Sequence, residues 1–443
     1  MMKASRYNRL LPSDDGGVLA FNASSAALLR IRPEKREAFD RVLARPEIAA
    51  TEEERRFRDV LVEKKFLVDD GFDEVARLEA RNRWYRYGGS LFSLALAPTL
   101  ACNLRCDYCY ERPSPARMTE ETESALLGFA DRRMRGAETV SVTWFGGEPT
   151  LCLGTIERVQ AGLRSLAERH GAKLLPGGIV TNGWLLDREA AGRLAAAGVA
   201  TAQVTLDGPR EVHDARRKLS DGRGTFDRIV GNLAGAADVL RCTVRVNVDE
   251  RNATSAAEVV AELRRLGLLD RIHVDFAQVR PSNGTCADLS EACYSVEEFA
   301  RHLVELYGRL LDDGFEGVEY PTVSPGGQCG ADCDRAFVVA PDGTLFRCWE
   351  EITDGEAASV GTVFSDAVTP TQRANLDRYL SRDPLACAEC RECHVLPLCM
   401  GGCPREVVRA GGGAQRACCT WKYNLDDMLK LRSVCGQRQD ERR

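Results

Sequence analysis

The sequence lacks a long hydrophobic run. Nowhere among its 443 residues is there the stretch of about eighteen or more apolar residues that a membrane-spanning helix needs. The opening MMKASRYNRLLPSDDGG has no apolar segment typical of a secretory signal. Strong charge of one sign is missing as well, since the net charge of −6 leaves no electrostatic footprint for nucleic acid or an anionic membrane. We therefore expect a cytoplasmic protein that binds neither.

Low-complexity tracts and short repeats are also absent. With 44% apolar and 28% charged residues, the composition excludes disordered and collagen-like classes. The length predicts two or three domains with an ample core. Cysteine is missing from residues 1 to about 92. This break in composition predicts a separate N-terminal module.

The remainder of the chain is rich in cysteine, with eighteen in total. Disulfides are rare in the cytosol, so these residues are better explained as metal–sulfur ligands. Cys102, Cys106 and Cys109 form a C-x3-C-x2-C loop within ACNLRCDYCY. Three thiolates can hold a [4Fe–4S] cluster but leave one iron open for another ligand. A zinc loop is the alternative, although zinc motifs usually contain two C-x2-C pairs.

This loop, with Tyr108 before its last cysteine, resembles the signature of radical S-adenosylmethionine (SAM) enzymes. A second motif of that family, Gly146-Gly147-Glu148-Pro149, follows the apolar run Val140–Phe145. The resemblance implies that the open iron chelates SAM and that an electron from the cluster releases a 5′-deoxyadenosyl radical. The glycines would let the backbone approach the methionine ammonium, and Glu148 would offer that cation a carboxylate.

Strands and helices alternate between Leu91 and about Val279, which predicts right-handed crossovers and a parallel sheet. The resemblance implies an α/β fold with a partial (β/α)6 TIM-like barrel. The expected strands are Leu91–Leu96, Val140–Phe145, Leu174–Val180, Gln203–Leu206, Cys242–Val248 and Ile272–Val279. The expected helices are Thr119–Arg133, Thr155–Arg169, Arg188–Ala197, Thr225–Val239 and Thr254–Leu266.

Loops at the carboxyl ends of parallel barrel strands carry the chemistry. Thr181-Asn182-Gly183 follows the third strand and Asp207-Gly208-Pro209 follows the fourth. By the resemblance, Thr181, Asn182 and Asp207 are cofactor-side residues. Arg245 shares one face of the fifth strand with Asn247, and it suits either the methionine carboxylate or a structural ion pair. His213 is expected to be a solvated surface histidine.

A second group of cysteines lies toward the C-terminal end, with the spacing C-x2-C-x5-C-x3-C from Cys390 to Cys403. Together with Gly343-x4-Cys348, this spacing resembles the SPASM extension of radical enzymes that modify peptides. The resemblance implies two auxiliary [4Fe–4S] clusters with full thiolate ligation; a pair of zinc ribbons is the alternative. One cluster would take Cys329, Cys333, Cys348 and Cys403, and the other Cys390, Cys393, Cys399 and either Cys418 or Cys419.

Metal binding would supply folding free energy to Leu385–Cys419, which has few apolar residues of its own. Upstream of it, Phe337–Ala340 and Thr344–Phe346 flank Pro341-Asp342-Gly343 and predict a hairpin.

The N-terminal module is expected to be α+β. Its predicted elements are a strand at Val18–Phe21, a strand or helix start at Ser24–Ile31, helices at Glu34–Leu43 and Glu52–Lys65, and a strand at 66–68. This order is similar to small winged-helix domains that bind leader peptides, and a peptide would then add as a strand. A plain cap on the barrel is the alternative.

SPASM-bearing families oxidise a sulfatase serine or cysteine to formylglycine, or form thioether or carbon–carbon crosslinks. The sulfatase-maturing members carry an aspartate base after the cysteine that matches Cys348, whereas this chain has Trp349 followed by Glu350. The departure favours a maturase of a ribosomally made precursor peptide, with Glu350 as candidate base and an auxiliary cluster as electron acceptor. The alternatives are a sulfatase-maturase-like enzyme, a radical SAM dehydrogenase acting on a non-peptide substrate, and a non-catalytic iron–sulfur scaffold.

The expected partners are the precursor peptide and an electron donor such as flavodoxin or ferredoxin. The predicted division is a module at 1–92, the barrel at 93–280, a linker at 281–325, the SPASM domain at 326–425 and a tail at 426–443.

Overall fold

The computed structural model describes residues 1–13, 15–281, 291–327, 329–413 and 415–441. Residues 282–290 of the expected linker lie outside the described residues. Contacts divide the chain into two compact units. The first comprises 1–87, 296–329 and 381–443, and the second comprises 88–295 and 330–380. In the ranges that are described, no helix has both the length and the apolar character that crossing a membrane requires.

The strands, in chain order, are β1 Met2–Ala4, β2 Asn8–Pro12, β3 Val18–Asn22, β4 Ala27–Ile31, β5 Leu67–Asp69, β6 Leu91–Leu96, β7 Leu104–Cys106, β8 Thr139–Trp144, β9 Lys173–Leu174, β10 Gly177–Thr181, β11 Val199–Thr205, β12 Arg217–Leu219, β13 Arg241–Val248, β14 Ile272–Gln278, β15 Ala336–Val339, β16 Thr344–Phe346 and β17 Gly361–Thr362. The α-helices are α1 Pro33–Ala44, α2 Glu52–Glu63, α3 Glu74–Tyr87, α4 Glu120–Arg133, α5 Leu153–His170, α6 Arg188–Ala197, α7 Arg210–Arg216, α8 Phe226–Ala236, α9 Glu258–Arg265, α10 Val296–Asp312, α11 Pro370–Leu380, α12 Ala388–Arg391, α13 Leu396–Cys399, α14 Pro404–Arg409 and α15 Trp421–Glu441.

The second unit is built on the expected parallel sheet, in the order β14-β13-β11-β10-β8-β6. Burial alternates along β6, β8 and β13, so every second side chain enters the core. All six expected strands are present and the parallel α/β prediction is confirmed. The third strand begins later than expected, at Gly177, because Pro176 has no N–H for the ladder and separates it from β9.

The expected hairpin is also present and extends this sheet. β15 pairs with β16 in antiparallel fashion and with β6 in parallel, with Val338 opposite Ala95. Val338 and Phe346 pack with Phe145 of the barrel in one apolar cluster. Residues 336–346 therefore share a core with the barrel, whereas the sequence division assigns them to a separate domain.

In the first unit, the central strand of the sheet β2-β3-β4 is buried along its whole length. Leu19 and Phe21 on one face pack into a cluster with Leu396, Cys399 and other residues of the C-terminal cysteine-rich segment. Val18 and Ala20 on the other face pack against α1 and α2. The segment 385–400 thus has apolar partners outside itself, in addition to any metal.

The strand reading of Ser24–Ile31 is the one observed, as β4. Two long helices lie in the expected linker and tail, α10 and α15, and the Asn424 side chain donates to the Ala300 carbonyl (3.2 Å) to connect them. The buried Phe299, Leu303, Leu306 and Leu310 show the helical spacing that predicts such an amphipathic helix. The interpretation of residues 281–325 as a linker did not take this helical spacing into account.

Candidate functional site

The cysteine loop is held by a small antiparallel pair, β7 with β12, in which Arg217 lies opposite Cys106. Cys102, Cys106 and Cys109 are all partly exposed. Burial nonetheless raises the pKa of all three thiols, to about 12 for Cys102. Three thiols of one loop thus keep partial exposure, and three thiolates leave one iron of a [4Fe–4S] cluster open.

The glycines of the second motif bring its turn against the cysteine loop. The Gly147 amide donates to the Thr99 carbonyl (3.1 Å) and the Glu148 amide to the Ala101 carbonyl (2.9 Å). A Cβ on Gly146, whose φ is +108°, would lie 2.5 Å from the Thr99 oxygen, and one on Gly147 would lie 2.4 Å from the Ala101 oxygen. Only glycine allows this approach. The expected contact with a methionine ammonium stays a prediction.

Glu148 is fully buried and joins two strand-end loops. Its Oε1 accepts from the Thr150 amide (3.0 Å), the Thr150 hydroxyl (2.5 Å) and the Thr181 hydroxyl (2.7 Å), and its Oε2 accepts from the Asn182 amide (2.8 Å). Pro149 begins the short 3-10 helix that supplies the Thr150 donors. The carboxylate thus satisfies four protein donors.

Asn182 reaches from the third strand end to the cysteine loop. Its amide nitrogen donates to the Asn103 side-chain oxygen (2.9 Å) and lies 3.8 Å from the Cys102 sulfur. The structure therefore brings Asn182 close to the first cysteine, whereas Thr181 contacts Glu148. The cofactor-side role expected of both residues stays a prediction.

Tyr108 and Asp207 meet in a buried polar network. The Tyr108 hydroxyl donates to Asp207 Oδ2 (2.5 Å) and accepts from Asn247 Nδ2 (3.2 Å) and from Arg217. Burial raises the pKa of the Asp207 carboxyl, against the lowering effect of Arg217 and Arg216. Arg216-Arg217 and His213-Asp214 belong to the segment whose sequence resembles peptide-modifying members of the family, but no contact with Tyr108 was predicted for Arg217.

Arg245 makes the structural ion pair that was one of its two expected roles. Its Nη1 lies 3.3 Å from Asp275 Oδ2, and its Nε donates to Asn247 Oδ1 (3.1 Å). A contact with the methionine carboxylate stays a prediction.

His213 is buried, so the expectation of a solvated surface histidine is wrong. Its Nε2 lies 3.0 Å from the Thr225 hydroxyl and its Nδ1 accepts from the Asp207 amide (3.3 Å). Burial, followed by the charges of Arg217 and Arg216, holds its pKa well below the ordinary value. His213 therefore supports the loop that carries Asp207.

The turn after Cys348 contributes an aromatic surface. The Trp349 indole is 42% exposed and packs on Phe145, directly before Gly146, with ring centroids 5.6 Å apart. Burial raises the pKa of Tyr110, and the charges of Glu350 and Cys348 add to the effect. Glu350 is therefore near the tyrosine that follows Cys109. Glu351 instead accepts a hydrogen bond from Tyr379 (2.6 Å).

In the first unit, a cavity of about 270 Å³ is lined by four of the expected ligands, Cys390, Cys393, Cys399 and Cys418. Lys422 Nζ lies 3.6 Å from the Cys393 sulfur. The Cys419 thiol is hydrogen-bonded to Cys399. Of the other expected set, Cys329 and Cys403 belong to the first unit, and Cys333 and Cys348 to the second.

Comparison with known proteins gives the family. Residues 96–252 match the model of the radical SAM superfamily. The chain is 30% identical over 319 residues to the mycofactocin maturase MftC of Mycolicibacterium smegmatis, covering 69% of this chain and 76% of that protein. It belongs to the radical SAM superfamily. It is therefore an enzyme, and the scaffold alternative loses its support.

Two more distant relatives agree. The serine-type anaerobic sulfatase-maturating enzyme of Klebsiella aerogenes is 24% identical over 352 residues, covering 74% of this chain and 83% of that protein. The solved structure of native anSMEcpe with bound AdoMet and Kp18Cys peptide has a TM-score of 0.59 at 20% identity, covering 78% of this chain and 99% of that one. The similarity to this solved structure shows the fold.

Membership of the superfamily implies a [4Fe–4S] cluster and SAM. The residues fit both groups. The three thiols lie in one loop and keep partial exposure, and the Asn103 amide nitrogen beside Cys102 is buried with no protein partner in the described part of the chain. Cys102, Cys106 and Cys109 would hold the cluster, and the loops around Gly146, Asn182 and Asp207 would surround SAM. Once bound, the pair supplies a carbon radical that removes a hydrogen atom.

Proposed function

We propose that this enzyme is a peptide maturase that forms a thioether or carbon–carbon crosslink in a ribosomally made precursor peptide. The observation that carries the proposal is the surface formed by Trp349 on Phe145, at the position where sulfatase-maturing enzymes carry an aspartate. An exposed indole next to the glycine turn suits an apolar or aromatic segment of a peptide. The maturase name of one relative and the peptide bound in one solved neighbour agree with this substrate class.

A crosslink removes two hydrogens from the peptide. One leaves as a hydrogen atom, and the other leaves as a proton and an electron. Glu350 is our candidate for the proton, because it lies near Tyr110 at the end of the cysteine loop. Glu351 is the weaker candidate, because it is engaged by Tyr379. The electron requires an acceptor within the chain.

We assign that role to two auxiliary clusters. The cavity lined by Cys390, Cys393, Cys399 and Cys418 supports one of them, and it favours Cys418 over Cys419 as the last ligand. The other is the second auxiliary cluster that the resemblance to the SPASM extension implies. Iron analysis of anaerobically prepared enzyme is expected to give about twelve irons per chain, against about four if only the first loop binds a cluster. Cys418→Ala is expected to lose iron, and Cys419→Ala to keep it.

The N-terminal residues are our proposed binding site for the leader segment of the precursor. An open groove of about 470 Å³ beside β1 is lined by Lys3, Arg6 and Phe72, and the Phe72 ring is 40% exposed. In the described chain β1 pairs only with β5, which leaves an edge where an extended peptide can add. An electron donor such as flavodoxin or ferredoxin completes the proposed partners.

The deciding experiment incubates the reduced holoenzyme with SAM and a short peptide encoded beside its gene. Loss of two hydrogens from the peptide without reaction toward an aldehyde probe is the expected result. Cys106→Ala, the matched control, should abolish SAM cleavage while the eight C-terminal thiolates keep their iron. Deoxyadenosine formation with no change in the peptide would reject the maturase.

Formylglycine formation is the second candidate, supported by the sulfatase-maturating relative. A sulfatase-derived peptide carrying cysteine or serine would then give a product that reacts with the aldehyde probe. Trp349 at the position of the aspartate base argues against this outcome.

A further inference from the structure

Two consecutive buried arginines, Arg216 and Arg217, both lie near the Tyr108 ring, but their hydrogen-bond partners differ. Arg216 ends α7 and points to Asp249, with both carboxylate oxygens 3.0 Å from its Nη1. Arg217 begins β12 and takes part in the strand pair with the cysteine loop. The Arg216 guanidinium also lies 5.0 Å from the centre of the Tyr108 ring, but its Nη1 hydrogen bonds go to Asp249. The hydrogen bond to the Tyr108 hydroxyl comes from Arg217.

Register places the Arg217 side chain on the same face as the Cys106 thiol. The two residues lie directly opposite each other in an antiparallel pair, and such partners share a face with Cβ atoms about 4.5–5.5 Å apart. Lys218 and Arg105, the next pair, are both exposed on the other face. Arg217 itself is only 7% exposed, so its charge acts where solvent screening is weak.

The guanidinium is anchored by Tyr108, the aromatic residue of the cysteine motif. Arg217 donates to the Tyr108 hydroxyl and lies 5.8 Å from the centre of its ring. The same hydroxyl donates to Asp207, which fixes the position of the phenol. The Nε of Arg217 is buried without a hydrogen-bond partner in the described residues. One donor of a buried cation thus remains available near the thiol of a cluster ligand.

We propose that Arg217 is a positioning residue that orients Tyr108 and raises the reduction potential of the cluster held by Cys102, Cys106 and Cys109. Adding an electron makes a thiolate-ligated cluster more negative, and a buried cation beside a ligand stabilises that state. The electron comes from the external donor, and none passes through Arg217. The inference depends on the cluster of the superfamily and is independent of the peptide substrate.

The test measures the midpoint potential of the SAM-responsive electron paramagnetic resonance signal in the anaerobic holoenzyme. Arg217→Gln removes the charge but keeps an amide donor for Tyr108, and we expect its potential to be more negative than that of the unmodified enzyme. Arg217→Lys keeps the charge, and its midpoint potential should lie between those of Arg217→Gln and the unmodified enzyme. Lys218→Gln removes an exposed charge from the same strand and serves as the matched control, with no shift expected.

A second readout compares deoxyadenosine formation with a strong and a weak chemical reductant. Arg217→Gln should lose much more of its rate with the weak reductant, because electron entry becomes less favourable. Equal potentials for Arg217→Gln and the unmodified enzyme at matched iron content would overturn the proposal. So would loss of the first-loop iron from both Arg217 variants in an otherwise folded chain, since that result assigns the arginine a purely structural role.

Discussion

At the scale of single residues, the two motifs of the site are joined through backbone atoms. The glycine turn donates two amide hydrogen bonds to the carbonyls of Thr99 and Ala101, just before Cys102, the first cysteine of the loop. Glu148 then extends the connection to the third strand end through Thr181 and Asn182. The position of each loop therefore depends on the absence of side chains at the turn.

Replacing Gly147 with alanine should separate these loops. Its Cβ would lie 2.4 Å from the Ala101 oxygen, a distance that backbone atoms cannot accommodate without moving. We expect loss of SAM cleavage and of about four irons per chain, the content of one cluster. Gly192→Ala, inside α6 with open space around it, is the control and should stabilise the protein by about 0.4–1 kcal/mol.

His213 should make stability fall on acidification. Its pKa in the folded protein is well below the ordinary value, so the unfolded chain binds the additional proton below a pH of about 6.5. Stability is therefore complete above that pH and is lost as the pH falls. We expect the thermal midpoint of His213→Asn to change less between pH 7.5 and pH 5.5 than that of the unmodified enzyme.

His273 is exposed, and His273→Asn is the control for this measurement. His302 and His394, whose pKa values are also lowered by burial, remain in all variants. An equally steep pH dependence in His213→Asn would contradict the prediction.

At the scale of elements, the hairpin β15–β16 is fastened by a buried arginine. Arg347 donates to the carbonyls of Ala331 (2.9 Å), Cys333 and Ala336, and so holds the loop that leads into β15. The same residue precedes Cys348. The positions of two expected cluster ligands therefore depend on one side chain.

Lysine cannot reproduce this fork of donors, because its ammonium is a single point on a flexible stem. Arg347→Lys should leave buried carbonyls without donors, at a cost of about 1–3 kcal/mol each. The expected outcome is a lower thermal midpoint together with loss of iron. Arg335→Lys serves for comparison, because Arg335 is only partly buried and donates to the Gly89 and Arg135 carbonyls. Equal effects of the two changes would argue against a special role for Arg347.

Elements were predictable where short-range pattern decides them. The barrel strands alternate in polarity or are continuously apolar, and the hairpin has a Pro-Asp-Gly turn between apolar runs. The cysteine loop and the glycine turn could be placed together because both follow parallel strands. Pairing of β15 with β6 could not be foreseen, because it joins residues more than two hundred positions apart and has no local signature.

Single side chains were less predictable for the same reason. His213 is buried because its face of α7 meets Thr225 and the Asp207 loop, and neither contact follows from the residues around it. Arg217 gains its role from register with a strand more than one hundred residues earlier. The contact of Trp349 with Phe145 likewise arises only in the folded unit.

At the scale of the whole molecule, β3 is the strand on which the first unit depends. Phe21 faces the cluster that contains Cys390 and Cys399, whereas Ala20 on the opposite face belongs to the cluster around Phe39. The cysteine-rich segment is therefore stabilised by residues near the other end of the chain. Any metal bound there would add to this core rather than be its only source of stability.

Phe21 and Phe39 offer a matched test of that arrangement, since both are fully buried. Each change to alanine should cost about 3–5 kcal/mol. Only Phe21→Ala should also lose about four irons, because it loosens the packing around the C-terminal cavity. Iron content and the thermal midpoint are measured for both variants. Equal iron content in the two would contradict the proposal that Phe21 shares a core with the C-terminal cysteines.

The composition of the first unit also sets an order of assembly during translation. Residues 1–87 are complete about 300 residues before their partners at 381–443 emerge, a delay of roughly 15–60 s at ordinary elongation rates. The second unit includes no residue after 380, so its parallel sheet can form while the nascent chain is still attached to the ribosome. Ribosome-bound chains in which residue 380 has just left the exit tunnel should therefore protect the second unit from protease, while residues 1–87 are cleaved more readily than in the complete enzyme.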